Sequence, residues 1–293
     1  MNERQMKIYA DLYKTLSTTK TANNLYLSQP AVSKALHEIE EEYGVQLFER
    51  ISHKLYRTPY SDEVYISVCN ALESLQSLEN TLKQEKSKEV IRIGASITLG
   101  TYFLPELVSS FQKSHPSVSI QVKIFPGQTI VDMLLNYELD LAFVEGKSQN
   151  PRLKQEVLLK DELVVIAPKE HELTSQKQIS LQTLAQYPLL MRDQASKGRQ
   201  FADLLFLQNG LELSPFWESV STSALIEAVH LGLGLSILSK KLVQPAIDAG
   251  LVLQLAISGV QLERENYILR HAQKTCSKNM QELIDAAKRQ AQN

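Results

Sequence analysis

At 293 residues the chain is longer than one hydrophobic core usually spans, so two globular units are expected. An apolar share of 43% with 22% charged residues excludes a disordered, collagenous or membrane-embedded chain. The formal net charge of −2 gives no global attraction to a polyanion, so any nucleic-acid function has to come from local charge placement.

From the N-terminus, Met6, Tyr9, Leu12, Tyr13 and Leu16 recur at helical spacing, and Ser17, Thr18 and Thr19 supply a stop and a new N-cap. A short second helix turns Ala22 and Leu25 inward and gives way to a turn at Tyr26 and Leu27. Ser28 then caps a third helix, with Pro30 in the first turn, where its missing N–H costs nothing. Val32, Leu36 and Ile39 mark the buried face of that helix, leaving Gln29, Ser33, Lys34 and His37 largely on the others. Arg50 to Arg57 reads as a two-stranded wing turning at Ser52 and His53. Thr58 and Pro59 start a long helix whose Tyr65, Val68, Leu72, Leu75, Leu78 and Leu82 step by threes and fours up to the charged run Lys83 to Glu89. Such a stripe calls for a partner surface, and a second copy of the chain is the simplest one, with packing against the chain's own C-terminal domain as the alternative.

Beyond residue 89 strand and helix alternate. Val90–Ala95, Val118–Ile124, Leu139–Val144, Leu163–Ala167 and Leu189–Met191 are predicted strands; Thr101–His115, Thr129–Tyr137, Lys197–Asn209 and Ala224–Gly232 are predicted helices. Changes of style near Glu162 and Glu265 suggest two lobes with a ligand crevice between them. The longest apolar stretch, near Leu231–Leu238, is too short to span a bilayer, and Met1 to Lys14 lacks a signal-like apolar core. Cys69 and Cys276 belong to no CxxC or Cys/His cluster, which fits a reducing, cytoplasmic setting without structural zinc, and no cofactor is expected.

Charge is distributed unevenly. Between Lys14 and His37 stand Lys14, Lys20 and Lys34 with no carboxylate, and between Arg50 and Arg57 stand Arg50, His53, Lys54 and Arg57, again with none. Two basic stretches on a helix-turn-helix and a wing point to double-stranded DNA, with basic groups on phosphates and Gln29, Ser33 and Lys34 reaching base edges in the major groove. In the C-terminal half, the loop Ser96 to Thr101 combines hydroxyls, among them Thr98, with the free N–H groups of a helix start around Gly100, a place to hold an anion. Gly127, Gln128 and Thr129 repeat the arrangement, as do Ser221, Thr222 and Ser223, and Arg199 and Arg192 could add charge. Any one such Ser or Thr can equally be an N-cap and nothing more.

The run Thr21-Ala22-x-x-Leu25-x-x-Ser28-Gln29-Pro30-Ala31-Val32-Ser33, then Ile39-Glu40-x-x-Tyr43-Gly44-Val45-x-Leu47-Phe48-Glu49-Arg50, then Thr58-Pro59, resembles the signature of LysR-type transcriptional regulators. Ile91-Arg92-Ile93-Gly94-Ala95-Ser96, Tyr102-x-Leu104-Pro105, Leu139-Asp140-Leu141-Ala142, Gly232-Leu233-Gly234-Leu235 and Ser239 extend the resemblance through the rest of the chain, and Ser96 to Thr101 resembles relatives linked to sulfur assimilation or carbon fixation. The resemblance implies an α plus α/β protein: a winged helix-turn-helix at 1–58, a linker helix and hinge at 59–89 that dimerises, and a two-lobed effector domain resembling periplasmic binding proteins at 90–293. Its lobes would be about 90–162 with 267–293, and about 163–266. The implied partners are dyad-symmetric promoter DNA, a small anionic effector, a second copy of the chain in a dimer or tetramer, and RNA polymerase as a further candidate. The DNA-contacting set implied is Lys20, Ser28, Gln29, Pro30, Ser33, Lys34, Arg50, His53, Lys54 and Arg57; the effector set is Ser96, Thr98, Gly100, Thr101, Gln128, Thr129, Arg199, Thr222 and Ser223. Two departures stand out: Leu16-Ser17-Thr18 where the family usually has a Gly-Ser-Phe-like turn, and Ser61 where it usually has Gly. An enzyme is not expected, since no GxSxG, HExxH, P-loop or dinucleotide fingerprint is present. A solute-binding protein or a redox sensor of similar sensor fold is the alternative.

Overall fold

The computed structural model describes residues 1–52, 54–82 and 89–292; His53, the charged run at 83–88, Asn293 and the side chains of Ser77, Asn80, Thr81 and Leu82 lie outside it. The chain divides into two compact units, Met1–Lys88 with Gln273–Thr275, and Glu89–Ala272 with Cys276–Asn293.

The first unit opens on α1 (Glu3–Thr15), started by a capping box in which Asn2 and Gln5 exchange side-chain and backbone hydrogen bonds. It buries Ile8, Tyr9, Leu12 and Tyr13 and ends at Leu16 in the left-handed conformation (φ 49°), the C-cap geometry for which glycine is the usual choice. Ser17 caps α2 (Thr18–Asn24), and Ser28 caps α3 (Gln29–Tyr43) through the Ala31 N–H, with Pro30 in its first turn. Ile8, Ala22, Val32 and Ala35 form the small core between these helices. β1 (Phe48–Ile51) and β2 (Lys54–Arg57) pair antiparallel, Phe48 opposite Arg57 and Ile51 opposite Lys54. Glu40 on α3 anchors the wing, its carboxylate accepting from the N–H groups of Leu47 (2.7 Å) and Phe48 (3.1 Å).

α4 (Pro59–Leu82) begins where the Thr58 hydroxyl accepts from the Ser61 N–H. Ser61 is fully buried, and the Tyr9 hydroxyl donates to its carbonyl at 2.6 Å and lies 2.8 Å from its Oγ. Serine in this place therefore holds a buried tyrosine that glycine could meet only through the backbone. The stripe on α4 does two jobs: Tyr65 and Val68 are buried, Tyr65 stacking on Tyr13 at 3.8 Å, whereas Leu75 and Leu78 stand exposed.

Tyr26, in the turn before α3, has φ 56° and is 96% exposed, so a left-handed backbone is held by a residue whose side chain is left to solvent. A Cβ in this region costs about 1 kcal/mol or more, and Tyr26→Gly is expected to raise unfolding stability by about 1 kcal/mol in a denaturant titration. A fall in stability would show that the ring makes a contact in solution.

The second unit is built on one sheet in the order β10 (Val252–Leu255), β6 (Leu153–Pro168), β11 (Glu263–His271), β5 (Leu141–Glu145), β3 (Glu89–Ala95) and β4 (Val118–Ile124), with β9 (Ser236–Ser239) also on β6. β3 pairs parallel with β4 and with β5. α5 (Ile97–Tyr102), α6 (Leu104–Ser114) and α7 (Gly127–Leu135) connect them. The sequence pattern reads one helix over 101–115; Pro105 has no N–H to donate back to Thr101, and the chain breaks into α5 and α6 at Phe103. β6 is a single long strand: residues 153–162 pair with β11, and residues 163–168 with β9 and β10. α8 (Leu181–Leu184), β7 (Leu190–Arg192), α9 (Lys197–Gln208), β8 (Trp217–Ser219), α10 (Thr222–His230) and α11 (Lys240–Asp248) complete the second lobe, and α12 (Lys278–Gln292) returns to the first. Each lobe has its own core, one around Ile93, Leu107, Phe143 and Leu283, the other around Val165, Leu184, Met191 and Phe206. β6 and β11 cross from one lobe to the other near Asp161 and Glu265, where the sequence changes style.

Candidate DNA interface and effector crevice

In the first unit the N-terminal half of α3 is presented outward. Gln29, Pro30 and Lys34 are exposed and Ser33 is half-buried, while Val32 and Ala35 fix the opposite face in the core. The Gln29 amide donates to Thr18 Oγ1 (3.2 Å) and Ser33 Oγ (2.8 Å), so the first residues of α2 and α3 are tied together on the open face. Lys20, Arg50 and Lys54 are exposed, and Lys34 makes a long exposed pair with Glu38 at 3.7 Å, worth little in water. Arg57 behaves differently: its guanidinium carbon sits 4.0 Å from the Tyr13 ring centre and its Nε donates to the Tyr13 carbonyl at 2.9 Å. It joins the wing to α1.

In the second unit the strand ends of β3 and β5 meet β11 at the point where the lobes part. Ser96 follows β3 and its N–H donates to the Phe143 carbonyl; Glu145 ends β5 opposite Asn266 of β11. Ser96, Glu145 and Asn266 are all buried. Around them, Arg264 donates through Nε (2.8 Å) to one oxygen of Asp161, with Nη2 in an ion pair with the same oxygen at 2.7 Å, and the other oxygen accepts from the Ser239 hydroxyl at 2.7 Å. Arg264 also lies 3.7 Å from Glu145, and glycine at 198 lets it approach α9, since a Cβ there would stand 3.2 Å from Nη1. From the second lobe, Arg192 donates to Thr222 Oγ1 at 3.1 Å and faces Asp193 at 3.6 Å. Burial lowers its pKa, with Asp193 and Glu145 opposing. Burial also pushes the Tyr102 hydroxyl well above its ordinary value, the carboxylate of Asp161 adding to the rise while Arg264 opposes it. Asn266 lies near enough to oppose that rise as well, yet forms no hydrogen bond of good geometry with Tyr102. Ser96 Oγ, the Tyr102 hydroxyl, Arg192 Nε and both side-chain atoms of Asn266 are buried without a partner among the described residues, which is costly unless something polar meets them.

Of the effector residues read from the sequence, Ser96 and Thr222 fall at this crevice, and Gln128 and Thr129 follow Gly127, where a Cβ would stand 3.9 Å from Glu145 Oε2. Thr98 is buried, and Gly100 packs on Ile124, where a Cβ would stand only 2.8 Å away. Thr101 is exposed and bonds back to the Ile97 carbonyl; Gln128 and Thr129 are exposed, Gln128 donating to Asp132. Ser223 is hydrogen-bonded to the α10 cap, Ser221. Arg199 is an internal brace, paired with Asp203 (2.7 Å) and Glu218 (3.2 Å) and donating to the Arg192 carbonyl. Sequence reasoning missed Tyr102, Glu145, Asp161, Arg264 and Asn266. A cavity of about 1030 Å³ also lies between α6 and α12, where His115 pairs with Glu282 at 2.7 Å.

Residues 3–61 match the family described as bacterial regulatory helix-turn-helix protein, lysR family, and residues 84–292 match the LysR substrate binding domain. The chain belongs to the LysR family. It is therefore a DNA-binding transcriptional regulator with an effector-binding domain. It is 34% identical over 284 residues to the HTH-type transcriptional activator CmpR of Synechocystis, covering 96% of this chain and 93% of that one. A full-length OxyR variant of Pseudomonas aeruginosa shares the fold with a TM-score of 0.71 at 20% identity, covering 100% of this chain and 95% of the other. The regulatory domain of Synechocystis CcmR in complex with 2-PG aligns with a TM-score of 0.65 at 25% identity, over 70% of this chain and 98% of that one. As in other LysR-type regulators, the architecture joins an N-terminal reader to a two-lobed sensor. Among the described residues no helix is long and apolar enough to cross a membrane, and no group of three or more His, Cys, Asp or Glu could hold a metal.

Proposed function

We propose that this LysR-family protein is a cytoplasmic regulator without enzymatic activity that binds dyad-symmetric promoter DNA as a dimer or tetramer. A small effector bearing an anionic group, held between the lobes, controls it. The observation that carries the DNA reading is the open N-terminal half of α3, with Gln29, Ser33 and Lys34 turned away from the core and Lys20, Arg50 and Lys54 exposed around it. Self-association is supported by Leu75 and Leu78, left uncovered on α4, and by a second apolar strip on the edge strand β4 and just beyond it, where Val122, Ile124 and Phe125 are exposed. Two separate strips are what a dimer of dimers requires. The effector reading is supported by the unpartnered buried groups at the crevice and by CcmR, whose regulatory domain takes 2-PG. Lobe closure on a ligand would change how sensor domains pack, and the linker helices would pass that change to the readers and to RNA polymerase beside them.

Fluorescence anisotropy with the intergenic DNA upstream of the chain's own gene tests this reading. Affinity is expected to fall linearly with salt on logarithmic axes, with a slope of about −0.9 per phosphate contacted, and to exceed that for scrambled DNA. A monomer in ultracentrifugation that ignores these fragments at low salt would overturn it.

A further inference from the structure

We propose that the effector is zwitterionic, an α-amino acid or close analogue whose ammonium group pairs with Glu145 while its carboxylate is taken by Arg192 with Ser96 and Asn266. This rests on the reading that the crevice between the lobes holds the effector.

The charge inventory of the crevice carries it. Asp161 and Arg264 are committed to one another through a 2.8 Å hydrogen bond and a 2.7 Å ion-pair contact, and Ser239 supplies a further donor to Asp161, so the charges of this pair offset each other. Arg192 faces Asp193 at 3.6 Å. Lys197, whose stem lies near Gly146, sends its ammonium to Gln200 instead. Two carboxylates remain: Asp193, whose Oδ1 has no hydrogen-bond partner among the described residues but whose side chain is 24% exposed and so reached by water, and Glu145, 7% exposed, with Arg264 at 3.7 Å as its nearest cation and no side-chain donor within hydrogen-bond distance among the described residues. Beside it are donors that an anionic group would satisfy, Arg192 Nε, Ser96 Oγ and Asn266 Nδ2, and two acceptors that an ammonium would satisfy, Asn266 Oδ1 and the Tyr102 oxygen. Asn266 faces Glu145 across the β5–β11 ladder, so one amide can serve both ends of a small ligand. A simple dianion placed on Arg192 would meet the Glu145 carboxylate in a dry environment, where like charges repel strongly. A ligand with a positive group turned toward Glu145 removes that repulsion and supplies the missing donor.

The test uses the purified full-length chain in thermal-shift assays and calorimetry, with three sets of probes: the common α-amino acids, their matched 2-hydroxy acids and deaminated carboxylic acids, and inorganic phosphate and sulfate. At least one amino acid is expected to bind about tenfold to a hundredfold more tightly than its hydroxy-acid counterpart, the range for a charged hydrogen bond. Glu145→Gln should erase that preference. A 2-hydroxy acid, phosphate or sulfate that binds as tightly as any amino acid, and is lost in Arg192→Met, would overturn the zwitterion and leave the crevice in place. Amino-acid binding that ignores both substitutions, or no binding by any probe, would overturn the proposal and the crevice reading together. Should Glu145→Gln fail to fold by circular dichroism, the matched amino-acid and hydroxy-acid pairs on the unaltered chain decide the question.

Discussion

Asp161→Ala is expected to destabilise the sensor domain by about 3–5 kcal/mol, the cost of leaving one member of a buried ion pair without the other. The Asp161 side chain is wholly buried and that of Arg264 is 8% exposed, so water cannot replace the lost carboxylate. Among the described residues the guanidinium would keep one carboxylate, Glu145 at 3.7 Å, and the Ser239 hydroxyl would lose its acceptor. Where whole domains are stable by roughly 5–15 kcal/mol, this is a large share. The measurement is urea unfolding of the full chain followed by a sensor-domain probe such as Trp217. The double substitution Asp161→Ala with Arg264→Met separates charge from packing: with no unpaired charge left, it should be more stable than Asp161→Ala alone. A single-variant loss under about 1 kcal/mol would mean that the pair is hydrated in solution. The same pair lies where β6 and β11 pass from lobe to lobe, so the variant should also alter how effector and DNA binding communicate.

The reader was legible in the sequence because its signals are local. Ser17 and Ser28 cap where hydroxyls precede helical periodicity, Pro30 sits where no N–H is needed, and Val32 and Ile39 follow from spacing, although the spacing placed Leu36 on the buried face where the structure buries Ala35 and leaves Leu36 partly exposed. Even the departures from the family pattern can be explained locally: Leu16 takes the left-handed turn that a glycine would, and Ser61 uses its extra hydroxyl on Tyr9. The role of Arg57 was not legible. A basic residue at the end of a wing strand looks like a phosphate contact, and only the fold shows Tyr13 beneath it.

The crevice was harder to read, for a topological reason. Glu145, Asp161 and Asn266 come from three strands distant in sequence, and only the β5–β11 and β6–β11 registers bring them together. The first half of β6, Leu153 to Leu159, carries three consecutive polar residues, Lys154, Gln155 and Glu156, which fall on both faces and break the apolar alternation that would mark a strand. A usable signal did exist: a carboxylate directly after the apolar run Leu141 to Val144, and another just before the run that starts at Leu163, are out of place in buried strands unless something pairs with them. The sequence reading instead followed hydroxyls at helix starts, and several of these, Thr101 and Ser223 among them, bond within their own turn.

Replacing Gln29 and Ser33 together with alanine is expected to flatten base preference by about 1–3 kcal/mol at the contacted pair, roughly tenfold to a hundredfold between matched and mismatched operators. The Gln29 amide is held in place before DNA arrives: Thr18 fixes one side and Ser33, one turn along α3, the other. A base edge then meets an oriented group and little side-chain entropy is lost on binding, so Ser33→Ala alone should forfeit part of the discrimination even if Ser33 touches no base. Lys34, grouped by its position with the base-reading residues, is exposed with a flexible stem, so Lys34→Ala is expected to act in another way, as loss of a phosphate contact would, weakening all sequences alike and reducing the magnitude of the salt slope by about 1. Anisotropy titrations on matched and single-mismatch operators at several salt concentrations distinguish the two behaviours. A double variant that keeps full discrimination while Lys34→Ala loses it would move the reading function from the amide to the lysine. Loss of discrimination in neither would take it off this face of α3 altogether.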